Sequence, residues 1–270
     1  LAQVHKFNQP DQSGNPRYFI EFLEMLERNP EVAEMRARSY RQMRFQPGAT
    51  VLDVGCGIGC AVVEMADHVG PKGSAYGVDI SEAMVAEAAA RAQGRANVKV
   101  STGSASELPH PDAMFDAVRT ERVLLYIPDR EKALSEMMRV TKPGGRVVLT
   151  DTEIDCSAIY SKDRALTRKM TSLVAEAIPH PTSARDLPAL MRSAGFENVT
   201  ADYFALKTTF EFCLIAMRGT LLAAADAGRT TVGEVDGWFQ GLSELNDAGD
   251  FLQLWFFVIA SGTVPAKELA

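Results

Sequence analysis

The residues of this chain best placed to do chemistry are Asp53, Gly55, Gly57 and Gly59, in the run Asp53-Val54-Gly55-Cys56-Gly57-Ile58-Gly59, together with Asp79. Ala49-Thr50-Val51-Leu52, just upstream, reads as a buried strand; the glycines read as a turn into a helix, and Asp79 as an acid ending a second strand. A glycine turn lets backbone N–H groups approach a ligand closely at a helix N-terminus. An acid at the end of the next strand can accept hydrogen bonds from both hydroxyls of a ribose. Together these residues describe a pocket for an adenosine-containing cofactor.

The turn also selects among such cofactors. The nicotinamide fingerprint is G-x-G-x-x-G/A, whereas the glycines here fall as G-x-G-x-G and are followed by Cys60-Ala61. Asp53 lies two residues before the first glycine, where its carboxylate would repel a pyrophosphate and attract a cation. S-adenosylmethionine carries both an ammonium and a sulfonium. The pattern resembles class I S-adenosylmethionine-dependent methyltransferases, particularly the group similar to ubiquinone/menaquinone-biosynthesis-type and small-molecule methyltransferases.

Three further segments carry the resemblance, which covers residues 47 to 152 well and the remainder in layout only. Val98–Pro109 is similar to the family's third strand and adenine loop, Phe115–Leu124 to its fourth strand, and Lys142–Leu149 to the loop into its fifth strand. The resemblance implies cofactor contacts from Asp53, Gly55, Cys56 and Gly57 in the turn, and from Asp79, Ile80 and Met84 after the second strand. It implies others from Gly103, Ser104 and Ala105, and from Thr120, Glu121 and Arg122. Tyr18 and Phe19 resemble N-terminal lid positions of this group. The family often has Gly-Asp-Ala at the adenine loop; Ser104 replaces the acid, and a hydroxyl is a weaker acceptor than a carboxylate.

The elements that must position these residues alternate from Pro47 to Asp151. Short runs rich in β-branched residues predict strands at Thr50–Val54, Ser74–Val78, Val98–Thr102, Ala113–Arg119 and Arg146–Thr150. Helices are predicted at Gly59–Val69, Ser81–Gln93 and Asp129–Thr141, with Ser81 and Asp129 as N-caps. Such alternation implies a parallel sheet with the ligand at the strands' C-terminal edge. Upstream, Pro16–Arg44 reads as two helices broken at Asn29-Pro30. Downstream, Asp155–Ile178 reads as an inserted helical segment and Asp186–Ala194 as a helix closed by Gly195. Val199–Lys207 and Phe251–Ser261 read as the sixth and seventh strands, with helices Phe210–Ala227 and Val232–Asn246 between them. The resemblance makes the seventh strand antiparallel.

The expected fold is therefore α/β: a Rossmann-like, seven-stranded, mostly parallel sheet with helices on both faces, plus N-terminal and inserted helical lids. Residues 1–46 form the expected N-terminal helical lid. Residues 47–270 form the cofactor-binding domain, with insertions near 155–182 and 208–248.

Composition narrows the function. A chain of 270 residues with 46% hydrophobic and 23% charged content is an ordinary globular protein. A net charge of −7 argues against a nucleic-acid polyanion as substrate. No apolar run reaches the ~18 residues of a membrane span. No basic segment followed by an apolar one opens the sequence, and four cysteines in so long a chain do not suggest a disulfide framework, so the cytoplasm is the expected compartment. Cys56 and Cys60 flank the glycine turn as small packing residues, and no metal is expected. Monomer and homodimer both stay open.

The expected activity is methyl transfer from S-adenosylmethionine, leaving S-adenosylhomocysteine, to a small organic molecule at O, N or C. No covalent nucleophile is required, because the sulfonium methyl is already activated and alignment of the acceptor is the main task. Of the histidines, His5 lies near the terminus, and only His180 lies where the inserted segment would cover a substrate. His180 and Glu153 are the candidate bases. The alternatives are a non-methylating reaction such as cyclisation with the same cofactor, a nicotinamide-dependent oxidoreductase, and a cofactor-binding regulatory protein.

Overall fold

The computed structural model describes residue 7 and residues 10–266, so His5 lies outside the described residues. Two N-terminal helices, α1 (Pro16–Glu27) and α2 (Pro30–Met43), each begin on a proline, whose missing N–H costs nothing in a first helical turn. Between them Asn29 caps α2, its side chain accepting the Glu31 N–H at 2.9 Å. The core then runs β1 (Thr50–Val54), α3 (Cys60–Val69), β2 (Ser74–Asp79), α4 (Glu82–Arg91), β3 (Val98–Thr102), β4 (Phe115–Glu121), α5 (Arg130–Val140) and β5 (Thr141–Ile159). As expected, Ser81 and Asp129 cap α4 and α5. The remaining elements are α6 (Arg164–Glu176), α7 (Ser183–Ser193), β6 (Glu197–Thr208), α8 (Phe210–Asp226), α9 (Val232–Asp247) and β7 (Gln253–Thr263). A reciprocal capping box between Thr231 and Glu234 starts α9.

The seven strands form one sheet in the order β3-β2-β1-β4-β5-β7-β6. The first five are parallel, and β7 runs antiparallel to both its neighbours, β5 and β6. Successive strand residues face opposite layers. Val51, Ala117 and Val148 join one core with residues of α2, α3, α8 and α9, while Leu52, Val118 and Val147 join the other with residues of α5 and α7. Strand order reverses between β1 and β4, which opens a crevice at their C-terminal ends.

Of the elements that depart from the sequence reading, three bear on the site. First, β4 begins at Phe115 rather than Ala113, because Ala113 adopts φ 52° in the preceding turn. Second, β5 continues to Ile159, through the stretch where an inserted helix was expected to start. Antiparallel β7 continues to pair with it past a register shift between Glu153 and Ala158, so the helix begins only at Arg164. Third, α2 contributes to the main core: Val32, Met35 and Met43 are buried in the same cluster as residues of the sheet. Among the described residues no helix is long and apolar enough to cross a membrane.

Candidate active site

At the C-terminal edge of the sheet lies a cavity of about 390 Å³, and the glycine turn forms one wall. Leaving β1, the chain passes through Gly55 at φ 73° and Gly57 at φ 52°, conformations that a side chain disfavours. Space is equally restrictive: a Cβ on Gly55 would lie 2.3 Å from Val123 Cγ2, and one on Gly57 3.0 Å from Leu23 Cδ1. The Asp79 carboxylate braces this turn from β2. Its Oδ2 accepts the Gly57 N–H at 2.8 Å and its Oδ1 the Ser81 N–H at 3.0 Å. Burial raises the Asp79 pKa, against the opposing effect of these two N–H groups.

A buried charge cluster lies beside the turn. Arg119 of β4, 1% exposed, pairs with Glu121 two residues on and lies 3.5 Å from Asp53 at the end of β1. Alternation along β4 puts Arg119 and Glu121 on one face and Thr120 on the other. From α2, Arg36 grips Glu27 through two hydrogen bonds of 2.6 and 2.8 Å and reaches Glu64 at 3.1 Å and Glu121 at 3.7 Å. Arg122 closes on Glu121 at 2.9 Å.

Burial pushes the Asp53 carboxyl up to about 6, with Glu121 and Asp79 adding to the rise and Arg119 opposing it. Burial would raise Glu121 too, but Arg122, Arg36 and Arg119 together outweigh it and hold that carboxyl at about 2. Three buried atoms of the cluster, Asp53 Oδ1, Arg36 Nε and Arg119 Nε, have no hydrogen-bond partner among the described residues, and all three residues line the cavity.

The cavity also has an apolar lining, which includes Phe22, Leu125, Ile154, Val174, Met217 and Trp255. Tyr126 lines the cavity too, its hydroxyl pKa pushed up by burial and by the nearby Asp151.

The sequence-derived residues divide clearly. Asp53, Gly55, Cys56, Gly57, Asp79, Ile80 and Met84 line the cavity, as do Gly103, Ser104, Ala105, Glu121, Arg122 and Glu153. Thr120 is buried away from it by strand alternation. Tyr18 and Phe19 also lie off the cavity: the Tyr18 hydroxyl donates to the Ile215 carbonyl at 2.9 Å, and Phe19 packs with Ile20, Ile58 and Met84. The next turn of the same helix supplies Phe22, Leu23 and Leu26 instead. His180 is outside the lining too, fixed by its ring Nε2 at 3.0 Å from the Ile127 carbonyl oxygen and by its backbone N–H on Leu125. Glu153 does face the cavity, but Arg185 donates to it at 2.6 Å, which compromises it as a free base.

Sequence reasoning passed over Arg36, Glu27, Arg119, Tyr126 and Trp255. One signal was available for Arg36: it shares the helix face of Val32, Met35 and Met43, and a charge on an apolar face needs a buried partner.

A family model described as a methyltransferase domain matches residues 45–202. The demethylmenaquinone methyltransferase of Geobacillus kaustophilus is 45% identical over 114 residues, covering 42% of this chain and 49% of the relative. Among solved structures, a putative methyltransferase of Bacillus halodurans superposes with a TM-score of 0.61 at 18% identity, over 86% of this chain and 99% of that one. The [4+2]-cyclase SpnF superposes with a TM-score of 0.55 at 25% identity, over 86% and 81%. The chain spans about half the length of the first curated relatives it matches. The fold and site define a Rossmann-like, adenosine-binding α/β protein. The chain belongs to the class I S-adenosylmethionine-dependent methyltransferase family, and its cofactor is S-adenosylmethionine.

Proposed function

We propose that the protein transfers the methyl group of S-adenosylmethionine to an apolar small organic molecule. The observation that carries this reading is a cavity lined both by the glycine turn with its buried charge cluster and by apolar side chains from Phe22, Leu125, Val174, Met217 and Trp255. The charged, glycine-walled lining fits the cofactor. Among the described residues Asp53 Oδ1, at 3.5 Å from Arg119, accepts no hydrogen bond, and Arg36 Nε, at 3.7 Å from Glu121, and Arg119 Nε donate none, a set complementary to an ammonium and a carboxylate. Asp79 would take the ribose hydroxyls, and Ile80, Met84 and the Gly103–Ala105 loop would flank the adenine.

When bound, the cofactor supplies an activated methyl group on a sulfonium. The chain's own contribution is alignment and exclusion of water, which in favourable cases lowers a barrier by roughly 7–11 kcal/mol. Val174, Met217 and Trp255 would hold the acceptor by apolar contact. Tyr126, whose raised pKa keeps it protonated, would donate a hydrogen bond to an acceptor oxygen rather than remove a proton. A net charge of −7 supports a small metabolite over a nucleic acid as acceptor.

The test is incubation of the protein with methyl-labelled S-adenosylmethionine and a cell metabolite extract. The expected result is label in an organic-extractable product with matching S-adenosylhomocysteine. Tight cofactor binding with no transfer to any fraction would overturn methyl transfer. A second reading, cyclisation with retained cofactor, draws support from the likeness to the [4+2]-cyclase. It predicts product without S-adenosylhomocysteine in the same experiment.

A further inference from the structure

On the opposite edge of the sheet from the cofactor cavity, where β1, β4 and β5 begin, lies a second cleft of about 680 Å³. Among the described residues its walls carry three cationic side chains, Arg44, Lys142 and Arg146, and a single carboxylate, Asp116. That carboxylate is already engaged: Oδ1 accepts from Lys142 Nζ at 2.6 Å and Oδ2 from the Thr50 N–H at 2.8 Å. Three cations less one acid leave an excess of two positive charges, in a chain whose net charge is −7.

Arg146 is the buried member, at 7% exposure. Its Nε donates to the Gln42 carbonyl at 3.2 Å, and its two Nη atoms donate to Thr263 Oγ1 at 2.9 Å and Ser261 Oγ at 2.6 Å. All three acceptors are neutral, and among the described residues no carboxylate pairs with Arg146. The charged group acting on it is Arg44, and burial together with that like charge lowers the guanidinium pKa. The C-terminal end of α2, through the Gln42 carbonyl, offers it partial negative charge.

A guanidinium has five N–H donors, and three of these are committed. A buried cation without a counter-ion carries a large desolvation penalty. One whose plane is already fixed by neutral acceptors is a preorganised receptor for an oxyanion. The cleft wall is also open: Gly48 and Gly144 have nothing within 4 Å of where a Cβ would lie.

We infer that this cleft binds a small phosphate-type oxyanion, with Arg146 as its buried counter-charge and Arg44 as the second, exposed cation. The chemistry is the same for inorganic phosphate and for a phosphomonoester, and two arms of one experiment separate these sources.

Inorganic phosphate is titrated into the protein at constant ionic strength, with S-adenosylhomocysteine present throughout to fill the cofactor cavity, and the melting temperature is followed. The wild type is expected to show a saturable rise. Its apparent affinity is expected to weaken at least tenfold in Arg44→Ala and to vanish in Arg146→Gln. Tighter binding of glycerol phosphate than of phosphate supports an ester as the natural ligand, and weaker or equal binding supports the free anion. Should Arg146→Gln fail to fold, the exposed Arg44 decides alone. A wild-type response in Arg44→Ala, or an equal rise with chloride at matched ionic strength, overturns the site.

Discussion

Asp79 Oδ2 accepts the backbone N–H of Gly57 at 2.8 Å, so the acid that ends β2 is bonded directly to the turn that leaves β1. The same carboxylate holds the Ser81 N–H at the entry to α4. Asp79 therefore shapes the turn in addition to its proposed contact with the ribose. Asp79→Asn keeps one acceptor oxygen for two N–H groups, and each buried donor left unpaired costs about 1–3 kcal/mol. The expected outcome is a lower unfolding midpoint and at least tenfold weaker S-adenosylmethionine binding by calorimetry. Wild-type affinity in a folded variant would remove Asp79 from the site.

Gly55 is expected to tolerate no side chain. Its φ of 73° strains any other residue, and a Cβ would meet Val123 Cγ2 at 2.3 Å. Gly55→Ala is expected to destabilise the protein in urea unfolding. Adding Val123→Ala is expected to recover the steric part of that loss and leave the backbone part. Equal stability of Gly55→Ala and wild type would contradict the observed turn.

Arg36 and Arg38 lie two residues apart on α2 and separate buried from exposed pairing. Arg36, with a 4% exposed side chain, serves Glu27, Glu64 and Glu121. Arg38 forms partly exposed pairs with Glu34 and Asp202. Removing one partner of a buried pair strands the other and costs about 3–5 kcal/mol, whereas a surface pair is worth roughly 0–1 kcal/mol. Chemical denaturation is expected to show a loss of that larger order for Arg36→Met and a small one for Arg38→Met. Comparable losses would mean that the Arg36 cluster is solvated.

Stability is expected to fall as pH rises from about 4 to 7. Burial pushes the Asp151 carboxyl from 3.8 up to about 7, although Ser183 Oγ donates to it at 2.5 Å. A raised carboxyl contributes stability that is fully present below 3.8 and lost as pH climbs through 7, because the unfolded chain ionises first. Asp53, raised to about 6, acts in the same direction. Glu121, lowered from 4.5 to about 2, acts in the opposite direction, and only as pH falls through that lower window. Each such group sets a limiting slope of about 1.4 kcal/mol per pH unit. Urea unfolding of Asp151→Asn at pH 5 and pH 8 is expected to show the variant gaining on the wild type at the higher pH. A pH-independent difference would mean that Asp151 ionises normally.

Asp53 gives a separate dependence in binding. Its ionised form is the one proposed to attract the cofactor ammonium, so affinity is expected to fall as pH drops through about 6. Asp53→Asn is expected to bind S-adenosylmethionine more weakly and without that dependence. A titration curve shared by variant and wild type would assign the pH effect to another group.

Much of the cofactor half was legible in the sequence because it is local in the chain. The turn from Gly55 to Gly59 follows β1 directly, and β-branched runs with capped helices between them dictate neighbouring parallel strands, which bring Asp79 beside it. Glycine spacing and strand alternation are backbone properties, and they survive into the fold unchanged. The apolar lining and the charge cluster are different in kind. Arg36, Arg119 and Glu121 meet across more than 80 residues of chain, and Trp255 reaches the cavity from β7. Hydrophobic periodicity reports that Tyr18, Phe19, Phe22 and Leu26 pack somewhere, but not which of them faces a cavity; one helical turn decided that Phe22 and Leu26 do. His180 was drawn onto the Ile127 carbonyl, and Glu153 onto Arg185, by neighbours that no local pattern names. The sequence by itself determined the sheet, the glycine turn and the acid beside it, because backbone sterics and strand alternation act over short stretches. Only the tertiary structure decided which charges are buried together and which side chains wall the cavity, because burial energies depend on partners from distant parts of the chain.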